Sequence, residues 1–357
     1  MANELTQQKN GEHSVIRNPG IVSDYRIAWV DFAKILACIL VVLGHFFQSM
    51  VKNGILTDSA GYELFNTVIY YFHNPLLFLC SGYLYQRRYR EGEGAKERIR
   101  YKLNRVYNLM IPYLFFATLT WGEKKIMTGY TNTPTNGYLD TIMSANISPY
   151  WFLMALALMY LLVPPVKERK RYKIIIYIII TMLINGFFNS YIVWFPLIKF
   201  IEFVPFFIIG MLMQSVHNFK GHLLRYLGLL TIALFGIVFG KIYVDGTILS
   251  SVSFSLLAMM GSTGVVLLSM NYFQNYANTR LWKQLAEYTF PVFMMHTLAA
   301  APIRIGLNAL KISQAWLHIL LGLSASFVLP VVAYLIMKKL KWPLFILYPS
   351  KVVKVGK

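Results

Sequence analysis

The stretch from 27 to 49, IAWVDFAKILACILVVLGHFFQS, decides how the rest of the chain is read. It is apolar at all but a few positions and, at about 1.5 Å per residue, long enough as a helix to cross roughly 30 Å of hydrocarbon. It follows a polar tail, is too long for the apolar core of a secretory signal, and lacks a convincing small-residue cleavage site. It is therefore expected to remain in the mature protein. Its interruptions are equally informative, because Asp31, Lys34 and His45 are groups that a bilayer accommodates only at a cost.

Similar blocks recur along the chain. Counting the first, the candidates are 27–49, 64–85, 105–122, 149–166, 174–190, 197–215, 223–243, 248–269, 284–303 and 313–337. Of the 357 residues, 57% are hydrophobic and 14% charged, with a mean hydropathy of +0.51. Soluble domains carry about 25% charged residues, so the composition argues against a water-solvated fold. Backbone satisfaction in lipid makes each block helical. The expected fold is an all-α polytopic transmembrane bundle of about ten spans.

The formal charge of +19 sits in short clusters between the blocks, without an extended basic face or a nucleic-acid motif. Cytoplasmic-loop bias explains it better than nucleic acid does. With the N-terminus in the cytoplasm, 26 of the 34 Lys and Arg fall on that side and 7 on the other, and Lys34 lies within the first span. An even number of spans returns the C-terminus to the cytoplasm. The expected organisation is a polar, disordered cytoplasmic tail at 1–24, the membrane domain at 25–340, and a basic cytoplasmic tail at 341–357. The sizeable outer loop, 123–148, contains the turn formers Thr133-Pro134-Thr135-Asn136-Gly137. Two cysteines, Cys38 and Cys80, both inside apolar blocks, provide neither a disulfide framework nor a four-ligand zinc site. No metal is expected.

In the first span, Lys34 and His45 are eleven residues apart. At 100° per residue they lie within roughly 20° of one face, about 16 Å apart along the axis, with Asp31 within roughly 60° of that face. A bland account also fits: Asp31 pairs with Lys34 at i,i+3, Lys34 snorkels, and His45 bonds a neighbouring helix. The second span carries His73-Asn74-Pro75, where Pro75 frees a carbonyl, and Ser81-Gly82, where another backbone or a ligand can approach closely. His73 reads equally as a structural hydrogen-bonder. Lys102 and Arg105 stand at i,i+3 at the cytoplasmic mouth of the third span, either as topology signals and lipid-phosphate contacts or as an anion site for a phosphorylated cosubstrate.

Together these residues resemble acyltransferase family 3, the integral membrane O-acyltransferases. The resemblance rests on the Lys34–His45 spacing, on the string His73-Asn74-Pro75-Leu76-Leu77-Phe78-Leu79-Cys80-Ser81-Gly82-Tyr83-Leu84, and on Lys102 and Arg105 followed by Ile111-Pro112-Tyr113. It extends to Tyr150-Trp151-Phe152-Leu153, to Phe203, Phe206 and Gly210, and to Glu287-Tyr288 with Met294-Met295-His296, in the family's order over about residues 25–337. Lys34 departs from the commoner Arg. No hydrolase-like segment follows the bundle, which favours the short members that decorate surface polysaccharide.

The resemblance implies a multi-pass acyltransferase of a bacterial cytoplasmic membrane. Such an enzyme moves an acyl group, usually acetyl, from cytoplasmic acetyl-CoA to a sugar hydroxyl of an envelope polysaccharide or its lipid-linked precursor. Acetyl-CoA is then a cosubstrate, and no bound cofactor is expected. Carried over by position, His45 is the catalytic imidazole, and Lys34, Lys102 and Arg105 serve the acyl donor. His73, Ser81, Trp151, Glu202 and His296 are candidates for holding the acceptor or orienting the imidazole. For each a plain alternative stands: Glu202 pairs with Lys199, Trp151 and Tyr150 belong to an interfacial aromatic belt, and His296 is structural. A competing function is a transporter or flippase for a glycan or its lipid carrier, suggested by the Pro-interrupted helices and intramembrane charges.

Overall fold

Each of the ten apolar blocks folds as its own helix. The structure, a computed structural model, describes residues 26–127, 136–188, 191–216, 221–273 and 279–352. The tail expected at 1–24 and most of the Thr133–Gly137 turn lie outside the described residues. In chain order the helices over the blocks are α1 (Ala28–Lys52), α2 (Ala60–Arg88), α3 (Ala95–Ile126), α5 (Trp151–Leu162), α6 (Tyr172–Phe188), α7 (Phe195–Val216), α8 (Gly221–Asp245), α9 (Ser251–Tyr272), α10 (Arg280–Ala309) and α11 (Ala315–Leu340). Short helices α4 (Tyr138–Ser144), α12 (Leu344–Leu347) and α13 (Pro349–Val352) complete the set. Among the described residues there is no strand.

Six of these helices, α1 and α7 to α11, are long and apolar enough to cross a membrane, and the chain is a multi-pass membrane protein. The other four blocks differ from the expectation of ten equivalent spans. The helix of α5 stops at Leu162, short of 166, because Pro164 and Pro165 cannot continue it. It and α6 are the shorter apolar helices. By contrast α2 and α3 are long but carry many polar residues. For α2 the reason is its place at the centre: Tyr71 and then every residue from His73 to Tyr83 are buried, so α7, α1 and α9 cover it rather than lipid. Outward-facing apolar side chains belong instead to α6, α8 and α11, as in Ile179, Leu183, Leu230, Ile237, Leu329 and Ile336.

Local signals set the ends. The Ser59 hydroxyl accepts from the Tyr62 amide at 3.3 Å to start α2, and the Ser250 hydroxyl accepts from that of Ser253 at 3.2 Å to start α9. Close approach of α2 and α7 depends on two glycines placed reciprocally. A Cβ on Gly82 would collide with the Phe207 carbonyl, and one on Gly210 with that of Leu79. The segment after α11, expected as a basic tail, instead folds back: the Ser350 amide donates to Asn108 Oδ1 at 3.1 Å and Ser350 Oγ to Asn104 Oδ1 at 3.2 Å. These bonds dock α13 on α3.

Candidate functional site

Helix α1 threads three cavities. Its first half, through Asp31, Lys34 and Cys38, borders a cavity of about 630 Å³ that also meets Arg26 just ahead of the helix, Arg105, Glu287, Tyr348 and Lys351. Farther on, Val41, His45 and Gln48 border one of about 200 Å³, shared with His73, Ser148 and Trp151. On the other flank of His45 lies a third, of about 100 Å³. Both Lys34 and His45 therefore face the interior, as the single-stripe spacing predicts, but they open on different cavities. The ring of Phe293 borders both the 630 Å³ and the 200 Å³ cavity. It projects from α10, 5% exposed, against the rings of Phe152 at 5.5 Å and His296 at 6.5 Å.

The large cavity is basic, with Arg26, Lys34, Arg105 and Lys351 set against Asp31 and Glu287. Glu287 is occupied by Lys338 at 2.7 Å and by the Tyr334 hydroxyl. The ion pairs found among the described residues do not include Asp31 with Lys34, so the attraction between the two acts at a longer range than a closed i,i+3 pair. Arg105 lies against Tyr101, its Nε donating to the phenol oxygen at 3.2 Å and its guanidinium 5.2 Å from the ring centre. Arg105 is one of the cations on the wall of the cavity, a planar group of the kind that suits a phosphate-bearing ligand. Cys38 is held by a hydrogen bond from its thiol to the Thr289 carbonyl at 3.4 Å.

Lys102 does not join this group. Its Nζ donates to the carbonyls of Leu161 and Val163 at 2.9 and 3.1 Å, so it caps the last turn of α5, where unpaired carbonyls and the helix dipole attract a cation. The i,i+3 spacing puts it on the Arg105 face of α3, but the end of α5 reaches it first. Ser81 also departs from expectation: it borders the large cavity, on the Lys34 side, with its hydroxyl donating to the Leu77 carbonyl at 2.7 Å. Glu202 pairs with Lys199 at 2.6 Å and borders neither His45 cavity, the plainer of its two accounts.

Around His45 the polar groups converge. Its Nε2 lies 3.3 Å from Ser148 Oγ, and its ring stacks on that of His296 at 5.5 Å and 28°. His73 donates through Nδ1 to the Ile69 carbonyl at 2.8 Å; a carbonyl only accepts, so the other ring nitrogen of the neutral imidazole carries no hydrogen. Trp151 forms part of the same cavity wall, with Lys199 Nζ 5.6 Å from its ring centre. Tyr150 is not interfacial: it is fully buried, joined to Thr120 at 3.1 Å and to the Met294 carbonyl at 3.0 Å.

Sequence reasoning found His45, His73, Trp151 and His296 on the one side, and Lys34 and Arg105 on the other. It missed Gln48, Tyr70, Asn146, Ser148 and Phe293, and, behind His45, Arg304 and His318. Among the described residues no cluster of three or more His, Cys, Asp or Glu is placed to hold a metal.

A family model described as an acyltransferase domain matches residues 27–335. Among curated proteins, the nodulation protein NolL of Mesorhizobium japonicum is 30% identical over 138 residues, and that of Sinorhizobium fredii 33% identical over 135. Each alignment takes 37% of this chain and 34% of the relative, so the match spans about a third of the length of those proteins. No solved structure matches.

Proposed function

Because the chain belongs to acyltransferase family 3, whose domain takes in α1 to α11 almost entirely, we propose that it transfers an acetyl group from acetyl-CoA to a sugar hydroxyl of an envelope polysaccharide or its lipid-linked precursor. In this reading both termini face the cytoplasm of a bacterium, the basic 630 Å³ cavity receives the CoA phosphates and pantetheine arm, and the acceptor enters beside His45. The single observation that carries the reading is that α1 delivers Lys34 to a basic cavity and His45 to a polar one, with Phe293 alone among the described residues bordering both.

The chemistry follows from these positions. His45 takes the proton of the sugar hydroxyl, and the oxygen attacks the thioester carbonyl. The tetrahedral intermediate then collapses with cleavage of the carbon–sulfur bond, and the imidazolium returns its proton to the thiolate, giving the ester and free CoA. Ser148 orients the imidazole through the contact at Nε2. Trp151 offers a flat apolar face for a sugar ring. Lys34 and Arg105 act on the donor. A transporter would need a path wide enough for a glycan, and cavities of about 200 and 100 Å³ favour a site that accepts one sugar residue.

The test is thioester turnover by the purified full chain. CoA release should require both acetyl-CoA and glycan acceptor, and His45→Ala should lower it by about 10²–10⁴-fold, the usual worth of a general base. Movement of unmodified glycan with no CoA release would count for the transporter instead.

A further inference from the structure

Behind His45, on the flank away from Trp151, the cavity of about 100 Å³ is walled by α1, α10 and α11. Besides the Thr297 hydroxyl, which can turn to Tyr150, three of its lining side chains hold buried polar atoms without a partner: His296 Nε2, His318 Nδ1 and Arg304 Nε. The two histidines are 2% and 1% exposed. Leaving such atoms unmet costs about 1–3 kcal/mol each, so their convergence on one small space points to something that fills it.

Their hydrogen-bonding character says what. His296 Nδ1 donates to the carbonyls of Phe293 and Val292 at 2.9 and 3.2 Å, and His318 Nε2 donates to that of Ile312 at 2.8 Å. Those nitrogens must carry the hydrogens, so in the neutral rings His296 Nε2 and His318 Nδ1 are bare acceptors. Arg304 Nε–H is a donor, and another nitrogen of the same guanidinium donates to Ser49 Oγ. Two acceptors and a donor are satisfied together by hydroxyl groups, each of which gives and takes one bond. An anion would meet Arg304 but face the lone pairs of both imidazoles, and an alkyl group would leave all three atoms unmet.

Resting on the acyl-transfer reading, we propose that this cavity is a second acceptor subsite, holding a hydroxymethyl or neighbouring hydroxyl of the sugar, and that it determines which hydroxyl His45 acylates. Size agrees with this occupant. A water takes about 30 Å³ of liquid, so the space admits a few heavy atoms and excludes a sugar ring. Its wall is shared with the reacting imidazole, since His45 borders both cavities and stacks on His296. An anchor this close fixes the register of the sugar, where a 1 Å error costs about 10²-fold in rate.

The experiment fills or disarms the space and reads regiochemistry. Membranes containing the full chain receive acetyl-labelled acetyl-CoA and surface glycan from cells lacking the gene. Ala301→Leu adds bulk on the α10 wall, and Arg304→Met removes the donor while keeping the aliphatic stem. Both should raise the KM for glycan at least tenfold, or move the ester to a different hydroxyl by NMR, with the KM for acetyl-CoA within twofold of wild type. Unchanged glycan KM and ester position in both variants would overturn the proposal, leaving a cavity that holds water alone. So would equal losses toward both substrates. If the wild type forms no ester on any glycan, the acyl-transfer reading itself fails, and the subsite with it.

Discussion

Lys102 and Arg105 stand three residues apart on α3, yet one caps α5 and the other borders the basic cavity. Their spacing was legible and their division of labour was not, because the end of α5 that claims Lys102 lies about sixty residues away in the chain. The two are separable by substitution. Arg105→Met should raise the KM for acetyl-CoA at least tenfold, about 1.4 kcal/mol of lost binding, with the acceptor KM unaltered. Lys102→Met should leave both constants alone and lower the thermal midpoint slightly, since a half-exposed cap is worth about 1 kcal/mol or less. Steady-state kinetics with each substrate varied, alongside thermal unfolding in detergent, checks both. Glu202 teaches the converse lesson: a lysine three residues earlier on the same helix is an easier partner than an imidazole on another.

Among the elements, α2 was the most informative and the most misjudged. Its small residues announced a close approach, and α7 makes it: Gly82 and Gly210 each admit a carbonyl of the facing helix. What a periodicity reading could not supply was the position of α2 at the centre of the bundle, because a helix buried on all sides by protein has no single apolar face to detect. The crossing sets the depth of His73 and of the cavity it borders. Gly82→Ala and Gly210→Ala should each deplete the chain from membranes severalfold, since overpacking against backbone has no flexible side chain to absorb it. Gly236→Ala on α8, where a Cβ meets nothing within 4 Å, should leave abundance at the wild-type level. Quantitative blotting of membranes and size-exclusion profiles of the solubilised chain decide it. The docked segment after α11 was also illegible: Ser350 finds Asn108 and Asn104 more than 240 residues away, and its lysines read only as a tail.

For the molecule as a whole, the sequence disclosed which blocks are helices and that α1 presents its polar groups on one stripe. It did not disclose that α10 inserts a ring between the levels of Lys34 and His45, nor that Arg304 and His318 stand behind the imidazole. Those contacts join residues some 250 positions apart, which no local pattern encodes. Phe293→Ala should widen the boundary between the two cavities. The expected result is faster acetyl-CoA hydrolysis without acceptor, by at least fivefold, together with use of longer acyl-CoA chains; Phe293→Leu should retain wild-type selectivity. A spectrophotometric thiol assay across an acyl-CoA series reads both effects. The same ring has a bearing on the cell's energy supply. On the proposed reading, donor and acceptor come from opposite sides of the membrane to a helix strung with titratable groups, which puts such a protein at risk of becoming a proton conduit, and the benzyl side chain that borders both cavities stands where that leak would pass.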